Sequence, residues 1–186
     1  MRHLFRSWIF AILNMFLLVP RMLAERVCPS FSRDGKWVYF ASARVGDWQV
    51  WKVPTAGSPV QVTQYGGHAA LESLDGQWVF YAKNPLAEPE VWRVSVHGGE
   101  ETPVPLVPPG TWASWQVTKK GILFVGPSLG HQAALRLYDF AHQHTTALAV
   151  LKRTPYWLGA TTDGKLVAFD QPGQEQAQAM LVENFR

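Results

Sequence analysis

The segment Gly126-Pro127-Ser128-Leu129-Gly130 comes nearest to a catalytic motif in this chain. Gly-x-Ser-x-Gly lifts a serine onto a sharp strand-to-helix turn and exposes it as a nucleophile, and here it follows the apolar run Ile122 to Val125. Asp139, His142 and His144 come next, in the order serine, acid, histidine. All three crowd within 16 residues of Ser128, whereas a hydrolase of this type draws its acid and base from later strands of a parallel sheet. Pro127 also suits a hairpin loop. A serine hydrolase using Ser128 is therefore the enzymatic alternative, and the residues favour a chain with no catalytic site.

Other chemistry is equally sparse. His142 and His144 are two apart, but no third ligand is spaced to join them, so no metal site is expected. The one cysteine, Cys28, excludes an internal disulfide framework and a zinc site built on clustered thiolates. No phosphate-cradling glycine loop or dinucleotide fingerprint is present, and no cofactor is expected. Glu72 is more informative, because it takes the position that a 41-residue repeat gives to Phe31. A carboxylate in an apolar position needs a partner or a raised pKa. Together with His68, four residues upstream, and with Trp112 and Tyr156 on the approaches to later repeats, Glu72 forms the candidate ligand-binding set.

The elements that must position these residues belong to a folded chain. It has 186 residues, 47% hydrophobic and 17% charged, with nine Trp, and is too apolar and aromatic for disorder. Its net charge of +3 resides in Arg2, Arg6, Arg21 and Arg26 against Glu25, leaving 13 charges of each sign elsewhere. The folded part therefore has no basic footprint, and nucleic acid is not an expected partner.

From Pro29 the chain repeats itself. Ser32-Arg33-Asp34-Gly35-Lys36-Trp37-Val38-Tyr39-Phe40 returns 41 residues later as Ser73-Leu74-Asp75-Gly76-Gln77-Trp78-Val79-Phe80-Tyr81. Gln49-Val50-Trp51-Lys52-Val53 returns at the same offset as Glu90-Val91-Trp92-Arg93-Val94. Weaker copies at Lys120 to Val125 and Asp163 to Phe169 place the turn glycines at 35, 76, 121 and 164. A period in the low forties belongs to propeller blades. Asp-Gly between apolar runs is a strong hairpin signal, and each unit reads as four short antiparallel strands. Trp37, Trp51, Trp78 and Trp92 are then expected between blades, where large aromatics dominate burial.

Pro29-Ser30-Phe31-Ser32-Arg33-Asp34-Gly35 and Leu71-Glu72-Ser73-Leu74-Asp75-Gly76 resemble the repeats of TolB-like, WD-repeat-like β-propellers, and the resemblance covers Pro29 to Arg186. Met180 to Arg186 looks like the chain end of larger bacterial propeller proteins. The resemblance implies an all-β propeller of about four four-stranded antiparallel blades at 29–67, 68–110, 111–154 and 155–186. The last is expected to stop after its third strand, which makes either a ring with an incomplete blade or an open arc completed by a second copy.

Ahead of the repeats, Arg2, His3 and Arg6 precede the apolar run Ile9 to Val19. This is the shape of an export signal or membrane-anchor helix within residues 1–28, with membrane attachment through 9–19 and a location at the cell envelope, periplasmic or anchored. The function expected is a non-catalytic platform for protein or ligand binding through its blade-end loops. The alternatives are an enzyme-associated propeller, such as a peptidase gating domain, and a truncated relic of a longer propeller protein.

Overall fold

The computed structural model describes residues 26–84, 88–127, 132–172 and 177–183, and the regular structure among them is all β. The first sheet runs β1 (Arg26–Phe31), β2 (Trp37–Val45), β3 (Asp47–Pro54) and β4 (Val60–Gln61) in spatial order. The second repeats the plan with β5 (His68–Glu72), β6 (Trp78–Lys83), β7 (Glu90–Ser95) and β8 (Thr102–Pro103). The third holds β9 (Trp115–Val117), β10 (Gly121–Pro127), β11 (Ala133–Asp139) and β12 (His144–Leu151). In the fourth, three strands pair, β13 (Leu158–Ala160), β14 (Leu166–Pro172) and β15 (Ala177–Glu183). Neighbours within every sheet are antiparallel.

Strand β1 begins at Arg26, inside the segment 1–28 expected as a leader, while the apolar run 9–19 lies outside the described residues. The outermost strands of the first two blades are two residues each. One of them ends on Pro103, which brings no N–H to the ladder.

The repeated turn shows why Ser/Thr-x-Asp-Gly recurs. The Ser32 hydroxyl donates to Asp34 at 2.7 Å and accepts the Trp37 N–H at 2.9 Å, while Asp34 accepts the Lys36 N–H at 3.0 Å. Ser73 with Asp75 and Thr161 with Asp163 make the same lattice. In each, the glycine sits at a φ near +70°, which glycine adopts without steric cost. Gly121 does not join this set, although its spacing suggested a turn glycine. It opens β10, and a Cβ built there would lie 1.7 Å from the carbonyl oxygen of Tyr138. The glycine is kept for close backbone approach rather than for positive φ.

Packing follows the blades. Tyr39, Val50 and Val62 of blade 1 meet Ala70, Val79, Tyr81 and Val94 of blade 2. Phe80, Val91 and Val104 of blade 2 meet Trp115, Ile122 and Phe124 of blade 3, and Leu123, Val125 and Leu135 of blade 3 meet Leu158, Val167 and Phe169 of blade 4. Because side chains alternate along a strand, neighbouring residues such as Leu123 and Phe124 serve opposite junctions. Of the four tryptophans expected between blades, Trp78 and Trp92 are half-buried against interblade cores, while Trp51 is buried outside those clusters and Trp37 lies under the Lys52 ammonium at 4.8 Å.

Candidate functional site: an aromatic hollow at the inner strands

The first strand of each blade is the innermost, and β1, β5 and the segments leading into β9 and β13 line a hollow of about 360 Å³. That is within the size range of small-ligand pockets, toward the lower end. Its floor is small and apolar, with Pro29, Ala69, Ala70 and Ala113, and its wall is aromatic, with Trp112, Trp115, Tyr156 and Trp157. Among the described residues, no charged side chain lines it. Cys28 also faces it, its thiol pushed up to about 11 chiefly by burial, which keeps it protonated and weakly nucleophilic.

The aromatic wall is held from behind. Asp170 on β14 accepts the Trp157 N–H at 2.6 Å and the Tyr156 N–H at 3.3 Å. The Thr111 hydroxyl donates to the Tyr156 carbonyl at 2.7 Å, and the Leu158 N–H donates to the Ala113 carbonyl at 3.0 Å, tying blade 3 to blade 4. Trp112 and Tyr156 meet edge to face, with centroids 5.6 Å apart. The Trp115 indole N–H donates to the Trp112 carbonyl. Tyr156 and Trp157 nevertheless remain 56% and 52% exposed, unusual for aromatics so firmly placed.

The four candidate residues are distributed unevenly about this hollow. Trp112 and Tyr156 come together in its wall. His68 opens β5 with its ring 5.0 Å from that of Trp48, and burial lowers its pKa. Glu72 lies buried at the junction of blades 1 and 2, where Oε2 accepts the Tyr39 hydroxyl at 2.7 Å and Oε1 accepts the Arg33 N–H at 3.1 Å. The Arg33 guanidinium donates to the Glu72 carbonyl, so the apolar position is filled by a fully partnered interblade lock. Trp157 and Asp170 were not foreseen. The adjacent pair Tyr156-Trp157 in a connection between blades was the one available signal, since exposed aromatics side by side have no core to fill.

A second polar cluster joins the same two blades. Glu101 accepts from Lys83 at 3.0 Å and from the Tyr81 hydroxyl at 2.6 Å through Oε2, and from the Gln64 N–H at 2.5 Å through Oε1. The Lys83 ammonium sits 3.7 Å over the Trp92 ring. Burial works against the Glu101 charge, but these donors outweigh it and hold its carboxyl below the usual range.

The acid proposed for a Ser128 hydrolase lies at the far end of its hairpin from Pro127. Asp139 pairs with Gly121 and Ala133 pairs with Pro127, so Asp139 lies six residues along the β10–β11 hairpin from Pro127, about 20 Å away. Asp139 is engaged by His142 at 3.1 Å within its own turn. The hairpin is antiparallel, without the parallel-sheet context the motif requires, and Ser128 itself lies outside the described residues. Among the described residues no group of three or more His, Cys, Asp or Glu is placed to hold a metal ion, and no helix is long and apolar enough to cross a membrane.

Sheets of this order, packed face to face around their innermost strands, define a β-propeller. Comparison with solved structures finds the same fold in TolB proteins. TolB from Acinetobacter baumannii superposes with a TM-score of 0.69 at 15% identity over 85% of this chain and 41% of that one. A protein assigned as TolB in Agrobacterium tumefaciens gives 0.66 at 19% identity over 85% and 58%. An acylaminoacyl peptidase bound to a chloromethyl ketone gives 0.57 at 12% identity over 86% and 31%, so the fold also occurs in enzymes. An uncharacterized protein of Agrobacterium fabrum is 48% identical over 33 residues, 18% of this chain and 11% of its own. No family model matches. The chain thus spans 41% and 58% of the two TolB structures it matches, and shares their fold.

Proposed function

We propose that this TolB-like propeller is a non-catalytic binding platform of the bacterial cell envelope, and that it takes its protein partner at the aromatic hollow. One observation carries the reading: Tyr156 and Trp157 are fixed through their backbones by Asp170 and Thr111, yet half of each side chain is exposed beside an uncharged cavity. Rigid aromatics that lose little entropy on contact are the residues that dominate binding energy at interfaces. The separation of Asp139 from the Ser128 end of its hairpin supports a role without catalysis. The envelope location rests on the pattern of residues 1–19 and on the family resemblance.

Capture of partners from cell extract by the full chain tests this reading. Trp157→Ala is expected to lower recovery of specific partners at least tenfold, the loss of about 1.4 kcal/mol or more that an interface anchor carries. Val150→Asp, on the exposed outer strand of blade 3, is expected to leave recovery unchanged. Equal recovery with Trp157→Ala would remove the hollow from the binding surface.

A further inference from the structure

The turn between β11 and β12 brings three ionisable side chains together, away from the hollow. Asp139 closes β11 and is paired in the ladder with His144, which opens β12, so these two side chains leave the same face of the hairpin. The connection is fixed by the Gln143 N–H, which donates to the Asp139 carbonyl at 2.8 Å, with Gln143 itself at a φ of 52°. Asp139 Oδ1 accepts the N–H groups of Ala141 and His142 at 2.8 and 3.0 Å, and lies 3.1 Å from His142 Nδ1. The carboxylate therefore holds the proton on Nδ1 of His142 and leaves Nε2, on the other side of the ring, with its lone pair. The His142 and His144 rings are 5.8 Å apart between centroids, and both residues are exposed.

From this arrangement we infer that His142 and His144 form a binding site for a divalent late transition-metal ion such as zinc, with Asp139 as the positioning residue behind His142. Neutral imidazole suits zinc, nickel and copper, whereas calcium and magnesium take oxygen ligands. A carboxylate on the far nitrogen of a ligating histidine fixes its tautomer and ring direction and raises the basicity of the nitrogen that binds. Two imidazoles on one tetrahedral zinc, at Zn–N distances of about 2.0 Å, hold their ring centres about 5 Å apart. The observed 5.8 Å is within a small side-chain rotation of that separation, and neither ring belongs to an interblade core that would oppose the rotation. The spacing in the sequence offers no third protein ligand, and Asp139 Oδ1 is already engaged by its own turn, so water fills the remaining coordination positions. This site is independent of the aromatic hollow, and neither reading depends on the other.

Zinc titration of the untagged full chain, followed by calorimetry and by NMR of the histidine rings, tests the assignment. Saturable binding of a single zinc ion per chain is expected, with the ring resonances of His142 and His144 shifting together. His142→Ala and His144→Ala are each expected to abolish it, while His97→Ala, at an exposed histidine between β7 and β8, leaves it unchanged. Asp139→Asn is expected to weaken binding about tenfold and to release His142 from the Nδ1–H tautomer, which its ring nitrogen shifts report. A thermal melt matching wild type shows that the variants are folded. Absence of saturable binding, zinc shifts confined to other histidines, or binding retained by either His142→Ala or His144→Ala would overturn the site. Zinc bound as tightly by Asp139→Asn as by wild type would overturn the positioning role of Asp139.

Discussion

Replacing Gly121 by alanine is expected to destabilise the protein by about 3 kcal/mol or more, a fall in Tm of roughly 6–12 °C for a domain of this size. The added methyl would stand 1.7 Å from the Tyr138 carbonyl oxygen and 2.8 Å from its carbon. Both are backbone atoms of the paired strand β11, so no rotamer change relieves the contact. The β10–β11 ladder must open at its Gly121–Asp139 end, and the neighbouring pair Ile122–Tyr138 feeds the core between blades 2 and 3. Gly35→Ala is the informative contrast. A Cβ at Gly35 meets nothing within 4 Å, and the cost there is only that of holding φ at +71°, on the order of 1 kcal/mol. Thermal unfolding of the two variants ranks them, and a Gly121→Ala protein as stable as Gly35→Ala would contradict the close-approach account.

Glu101→Gln carries the second large effect, expected at about 2–4 kcal/mol. The side chains of Lys83 and Glu101 are 11% and 3% exposed, so removing one charge leaves the other buried against a neutral amide. Trp92 still attracts the ammonium through its ring face, which keeps the loss below that of a wholly isolated charge. The double variant Lys83→Met with Glu101→Leu is expected to recover most of the loss, because desolvation of both ions disappears together. The pH dependence has a definite sign. The Glu101 pKa is depressed in the folded state, so its contribution is present above the unfolded carboxyl value of about 4.3 and is lost as pH falls through the lower folded value. The gap in Tm between wild type and Glu101→Gln should therefore be full at pH 7 and close progressively in acid below about pH 4. A gap that widens in acid would mean that Lys83 and Glu101 do not form the pair described.

Local chemistry made much of the fold legible in the sequence. Ser32-x-Asp34-Gly35 and its copies encode their turns within four residues, since hydroxyl, carboxylate and glycine each serve a backbone group close by. The tryptophans repeat at the blade period, and Trp78 and Trp92 pack against the interblade cores, whereas Trp37 and Trp51 belong to none of them. Gly121 was misread because spacing records where a glycine is, while its reason lies in the approach of Tyr138 on another strand. Glu72 stood out as a carboxylate in an apolar register, but its partner Tyr39 lies 33 residues away in the preceding blade. No local pattern joins them. Lys83 and Glu101 are similar, each an ordinary charge in a strand or loop until the sheet brings them to 3.0 Å. Of the hollow, Trp112 and Tyr156 were legible as aromatics on the approaches to the inner strands. Trp157 and its support by Asp170 required the β13–β14 pairing to be seen.

A partner seated on the aromatic hollow is within reach of site-specific photo-cross-linking in the native cell. A benzophenone side chain is placed at Tyr156 in one chain and at Val150, an equally open position on the outer strand of blade 3, in another. A discrete adduct is expected from position 156, absent from position 150 and diminished by Trp157→Ala. The adduct's mass identifies the partner, with twice the 20.9 kDa of this chain marking a second copy. Adducts from position 150 alone, or a position-156 adduct unaffected by Trp157→Ala, would contradict a partner seated on the hollow.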